Sequence, residues 1–120
     1  MNPVTGLSVA RIVLGILTLV APRTAARLLR LDGDGQPQLS YLSRMFGSRE
    51  IALGAATLAA PAGVRRPVLL AGVAVDACDA AAGLLAGRSR AVSKPTAALL
   101  TVPAVAALAT GIATVARERA

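Results

Sequence analysis

Six ionisable side chains interrupt stretches that are otherwise apolar enough to lie in a membrane: Arg11, Arg44, Arg49, Glu50, Asp76 and Asp79. Three are cations and three are acids. Charge in hydrocarbon is costly, so each member needs a partner, a water-filled cavity or a task. Three chemistries fit such a set: a proton or ion path, a charge awaiting a partner subunit, or a network that fixes helix register. No chain of acids that would make a relay runs through the sequence, so the register-fixing network is the expectation.

Catalysis has little to build on. Ser and Thr occur without any His, and no GxSxG elbow or phosphate-cradling glycine loop is present. A lone Cys78 and the lack of His give no recognisable zinc or iron–sulfur spacing and no disulfide framework, so Cys78 reads as a small buried hydrophobe. Asp32 and Asp34 lack the remaining ligands of a calcium loop. The expectation is a non-enzyme with no catalytic residue, metal or cofactor.

The elements that must position the six charges follow from composition. The chain has 120 residues, of which 55% are hydrophobic, and a mean hydropathy of +0.65. A domain this short hides only roughly 60–70% of the surface its unfolded chain exposes, whereas lipid can cover the rest. The formal charge of +7 does not point to nucleic acid, since Tyr41 and Phe46 are the only aromatics and no basic tract is interleaved with stacking rings. Arg23, Arg27, Arg30, Arg65, Arg66, Arg88, Arg90, Lys94, Arg117 and Arg119 fall where apolar runs end, as anchors attracted to anionic lipids would.

Hydropathy and proline punctuation predict an all-α, four-transmembrane-helix bundle forming one integral membrane domain over residues 1–120, with spans at about 3–21, 39–60, 68–86 and 95–116. The first reads as a retained span, because no base precedes its apolar core and Arg11 lies inside it. A short interfacial helix follows Pro22, with Arg23, Arg27 and Arg30 on one side and Leu28, Leu29 and Leu31 largely on another. DGDGQPQ, from Asp32 to Gln38, reads as a loop, and Pro61 to Pro67 as a turn before the third span. The second span carries three charges and should insert poorly alone. Pro95 opens the fourth span, and Pro103 inside it is a kink signal.

Read at 3.6 residues per turn, the polar and small residues form stripes. Ser8, Arg11, Gly15 and Thr18 share one; Ser43, Gly47, Glu50, Gly54 and Thr57 share a second. Gly72, Asp76, Asp79 or Ala80, Gly83 and Gly87 make a third, and Thr110 and Thr114 are an i,i+4 pair. Small residues such as Gly15, Gly47, Gly54, Gly72 and Gly83 let helix backbones approach, and polar ones bond across helices. Within a seam of four such stripes Arg11 is expected to pair with Asp76 or Asp79, and Glu50 with Arg44 or Arg49.

The stretch RMFGSREIALG, holding Arg44, Gly47, Arg49, Glu50 and Gly54, followed by Asp76 and Asp79 in the next span, resembles small four-span actinobacterial membrane proteins of unknown function, over most of the chain. The chain is also similar, with no single identifying residue, to accessory membrane subunits of actinobacterial transport complexes such as the Mce-type lipid importers. That resemblance implies a non-catalytic accessory subunit that packs against larger transporter subunits and stabilises or regulates their membrane domain. A small homo-oligomeric channel or transporter using Asp76 and Asp79 beside Arg11 is the alternative. Loops after the first and third spans hold more cations than the opposite side, which favours a plasma-membrane protein with both termini outside the cytoplasm.

Overall fold

Asn2 opens the first helix as its sequence requires. Its Oδ1 accepts hydrogen bonds from the backbone N–H of Val4 (2.8 Å) and Thr5 (3.0 Å), and Pro3 occupies the first helical position, where its missing donor costs nothing. The computed structural model describes residues 2–31 and 38–119, apart from the Arg119 side chain, so the expected Asp32–Gln38 loop lies outside it except for Gln38. Among the described residues five helices follow one another: α1 (Pro3–Val20), α2 (Pro22–Leu28), α3 (Gln38–Ala59), α4 (Ala62–Arg88) and α5 (Lys94–Arg119).

Two of these depart from expectation. The short helix α2 forms, but it buries Pro22, Ala25 and Ala26 and leaves Leu28 exposed, so alanines supply its packing face. The turn expected over Pro61 to Pro67 is instead the start of α4, which begins at Ala62 and runs through Pro67. A proline inside a helix clashes with the carbonyl four residues back and leaves it without a donor. Here that residue is Gly63, which is exposed and has open space around it, so the orphaned carbonyl can be solvated and the helix continues. α5 likewise runs unbroken through Pro103.

The contacts divide the chain into two compact units, Met1–Ala59 and Ala60–Ala120. In the first, α1 packs along α3, with α2 touching both. In the second, α4 packs along α5. Each long pair is antiparallel: Ser8 faces Gly54 while Gly15 faces Gly47, and Val73 faces Gly111 while Gly87 faces Ala97.

α1, α4 and α5 are each long and apolar enough to cross a membrane. At 1.5 Å per residue they measure about 27, 40 and 39 Å against a hydrocarbon core of about 30 Å. α3 has 22 residues and therefore the length, but Arg44, Arg49 and Glu50 make it more polar. Large apolar side chains face outward on every long helix, among them Val13 and Val20 on α1, Leu84 and Leu85 on α4, and Val102 and Ile112 on α5. Water would penalise that surface and acyl chains would not. The chain is a multi-pass membrane protein.

Candidate functional site

The first hairpin is built on a face chosen by period. Val4, Ser8, Arg11, Gly15 and Thr18 are the buried residues of α1, and Gly47, Glu50 and Gly54 those of α3. Glycine is what allows these faces to meet. A Cβ built on Gly15 would stand 2.6 Å from the Gly47 carbonyl oxygen and 2.7 Å from Ile51 Cγ1. One on Gly47 would stand 2.5 Å from the Gly15 carbonyl oxygen and collide with Thr18 Oγ1, and one on Gly54 would stand 2.7 Å from the Ser8 carbonyl oxygen. Backbone lies on backbone at two successive levels, Gly15 against Gly47 and Gly54 against Ser8, and a Cβ at any of the three glycines would force the helices apart.

That close approach carries the charges together. Arg11, 8% exposed, donates from Nη1 to Glu50 Oε2 at 3.0 Å, and Glu50 is 3% exposed. The other oxygen of the same carboxylate, Oε1, accepts from Arg49 Nη2 at 3.3 Å. The Arg49 guanidinium also lies over the Phe46 ring, 5.0 Å from its centroid, where the face of the π system attracts a cation. Glu50 thus holds one guanidinium from its own helix and one from α1. Charge-assisted bonds of this kind are roughly twice as strong as neutral ones, and the low dielectric that strengthens them also makes a lost partner expensive.

Arg44 has a different task. Its Nε donates to the Leu19 carbonyl at 3.2 Å. Leu19 lies in the last turn of α1, where carbonyls have no intrahelical donor, and a cation there also complements the helix dipole. Arg44 therefore caps the end of α1 and does not join the Arg11–Glu50–Arg49 cluster.

In the second hairpin Leu69, Asp76, Ala80 and Gly83 are the buried residues of α4, with Asp76 3% exposed. Asp79 and Gly72 are half-buried, whereas Cys78, expected to be a small buried hydrophobe, is exposed because it lies off the face that holds Asp76, Ala80 and Gly83. Contact with α5 runs through Gly83 under Thr101 Oγ1, Gly87 against Ala97 Cβ and Gly111 against Val73 Cγ2. Thr101 Oγ1 is buried with no hydrogen-bond partner, held over a glycine that a methyl group would displace. Near the far ends of the two helices Arg65 Nε donates to Glu118 Oε1 at 2.7 Å.

The stripes on α1, α3 and α4 are thus where period placed them, and of the two partners expected for Glu50 it takes Arg49. Sequence reasoning missed the bond from Arg11 to Glu50, since period identifies the inward face of a helix and not the neighbour it meets. It also missed Thr101, Ala97 and Gly111. The signal was present as small residues four apart, Gly83 with Gly87 and Ala97 with Thr101. Thr110 and Thr114, expected to bond across helices, donate within α5 to the Ala106 (2.9 Å) and Thr110 (2.8 Å) carbonyls. Thr18 and Thr57 do the same on α1 and α3.

Comparison of the chain with protein-family models, with curated proteins and with solved structures finds no match.

Proposed function

We propose that the chain is a four-span, non-catalytic accessory subunit that packs against the membrane domain of a larger transport complex and stabilises or regulates it. The observation that carries this reading is the Arg11–Glu50–Arg49 cluster, in which a carboxylate buried inside a glycine-tight hairpin holds two guanidiniums. Charges engaged with one another between touching backbones serve packing and register, as in a scaffold, rather than the passage of a solute. The outward Val, Leu and Ile side chains then meet acyl chains or the helices of a partner.

In this reading α3 is the fourth crossing. Each charge near a helix centre costs roughly 2.5–3.5 kcal/mol on insertion scales, so α3 crosses together with α1, whose Arg11 meets Glu50, while Arg44 is drawn to the end of α1. Both termini are extracytoplasmic, because the segments after α1 and α4 carry Arg23, Arg27, Arg30, Arg88, Arg90 and Lys94 against Arg65, Arg66, Arg117 and Arg119 elsewhere. Lipid import across an actinobacterial plasma membrane is the setting that the family resemblance favours.

The test is native purification in mild detergent followed by mass spectrometry, paired with deletion of the chain. A stoichiometric larger membrane subunit whose abundance or transport rate falls on deletion is the expected result. Solute flux by the purified chain alone in liposomes would overturn it in favour of a homo-oligomeric channel.

A further inference from the structure

The α4–α5 turn carries a feature that membrane residence alone does not require. α4 ends in a Schellman cap: the Ala91 N–H donates to the Ala86 carbonyl at 3.0 Å and the Arg90 N–H to the Gly87 carbonyl at 3.3 Å. The residue at the left-handed position of that cap is ordinarily glycine, yet here it is Arg90, with φ of 62°. A side chain in that conformation costs about 1–2 kcal/mol. Backbone strain of this sort concentrates at ligand clamps and functional turns.

The strained residue lines an open groove of about 590 Å³ together with Gly87, Ser93 and Lys94. Arg88, Arg90 and Lys94 are all exposed. No acid occurs in the sequence between Asp79 and Glu118, so the nearest carboxylate along α4 is more than two turns away and the other belongs to the opposite end of α5. Ser93 caps α5, its Oγ accepting from the Thr96 N–H at 3.3 Å and lying 3.0 Å from Thr96 Oγ1, which holds the groove wall in place. The opposite end of the same unit differs, since its Arg65 is neutralised by Glu118.

We propose that this groove binds the phosphate of an anionic phospholipid headgroup, with Arg90 and Lys94 as the principal donors and the exposed Arg88, two residues before Arg90, adding to the positive charge of the turn. It rests on the membrane reading above. A planar guanidinium presents a fork that matches phosphate oxygens, and a turn at the end of two apolar helices lies at headgroup depth. At the left-handed position Arg90 puts a cationic residue in the lining of the groove, where the glycine usual to such a cap would bring no charge.

Arg90→Gly tests this cleanly, because it removes the guanidinium while relieving the strained backbone, so misfolding and lost binding are separable. The full chain and the variant are reconstituted into vesicles of equimolar phosphatidylglycerol and phosphatidylcholine, floated, extracted, and their retained lipids counted by native mass spectrometry. The parent should retain phosphatidylglycerol over phosphatidylcholine, and the preference should fall about fivefold for Arg90→Gly and again for Arg90→Gly/Lys94→Ala. Flotation with unchanged phosphatidylglycerol retention in both variants would overturn the site alone. A parent that does not float would overturn the membrane reading together with the site.

Discussion

The two hairpins solve the same packing problem with different interiors. In α1–α3, glycine faces the opposing backbone and an ion pair lies at mid-helix; in α4–α5, glycine faces side chains, and among the described residues Asp76 is the only buried ionisable one. Both helices of the second hairpin are apolar enough to cross a membrane individually, whereas in the first only α1 is. The difference shows how a polar helix such as α3 can be kept in an apolar chain. A neighbour that approaches closely enough to supply the counter-ion removes the need for the helix to be apolar itself.

Breaking the ion pair should have the largest effect. Glu50→Ala removes the carboxylate that both guanidiniums reach, and loss of one member of a buried pair costs about 3–5 kcal/mol. The double variant Arg11→Ala/Glu50→Ala should be less destabilised than the sum of the singles, measured by reversible denaturation in detergent or bicelles. Additive losses would mean that the bond contributes no coupling. Asp76→Ala provides the matching measurement in the second hairpin.

Glycine substitution sharpens the contrast between backbone and side-chain contact. Gly47→Val drives atoms into the Gly15 carbonyl and Thr18, and overpacking of this kind costs about 1–3 kcal/mol. Gly87→Ala meets only the Ala97 methyl group, so its cost should be smaller, and equal melting shifts for the two would contradict the distinction. The smallest effect has the opposite sign. Arg90→Gly should stabilise by at most about 1 kcal/mol, the relief of left-handed strain less the entropy glycine gains when unfolded. A lower melting temperature would show that Arg90 contributes more to the fold than its strain removes.

The contrast also explains what was legible beforehand. Ser8, Arg11, Gly15 and Thr18 could be read as one inward face because helical period alone decides it, and the same holds for Gly47, Glu50 and Gly54. The start of α4 could not, since whether Pro67 ends a helix depends on the surroundings of the Gly63 carbonyl. Nor could the role of Arg44 be read, because its partner is a carbonyl freed only by the way α1 terminates at Val20. The packing face of α2 went to Ala25 and Ala26 because small side chains suit a seven-residue helix lying against two others.

The claim on which the rest depends is that α3 crosses the membrane as the partner of α1. It is tested most directly by introducing Gln38→Cys and Ala62→Cys separately, in a Cys78→Ala background, and labelling intact and permeabilised cells with a membrane-impermeant maleimide. Labelling of position 62 in intact cells and of position 38 only after permeabilisation is the expected result. Labelling of both positions from one side would contradict it.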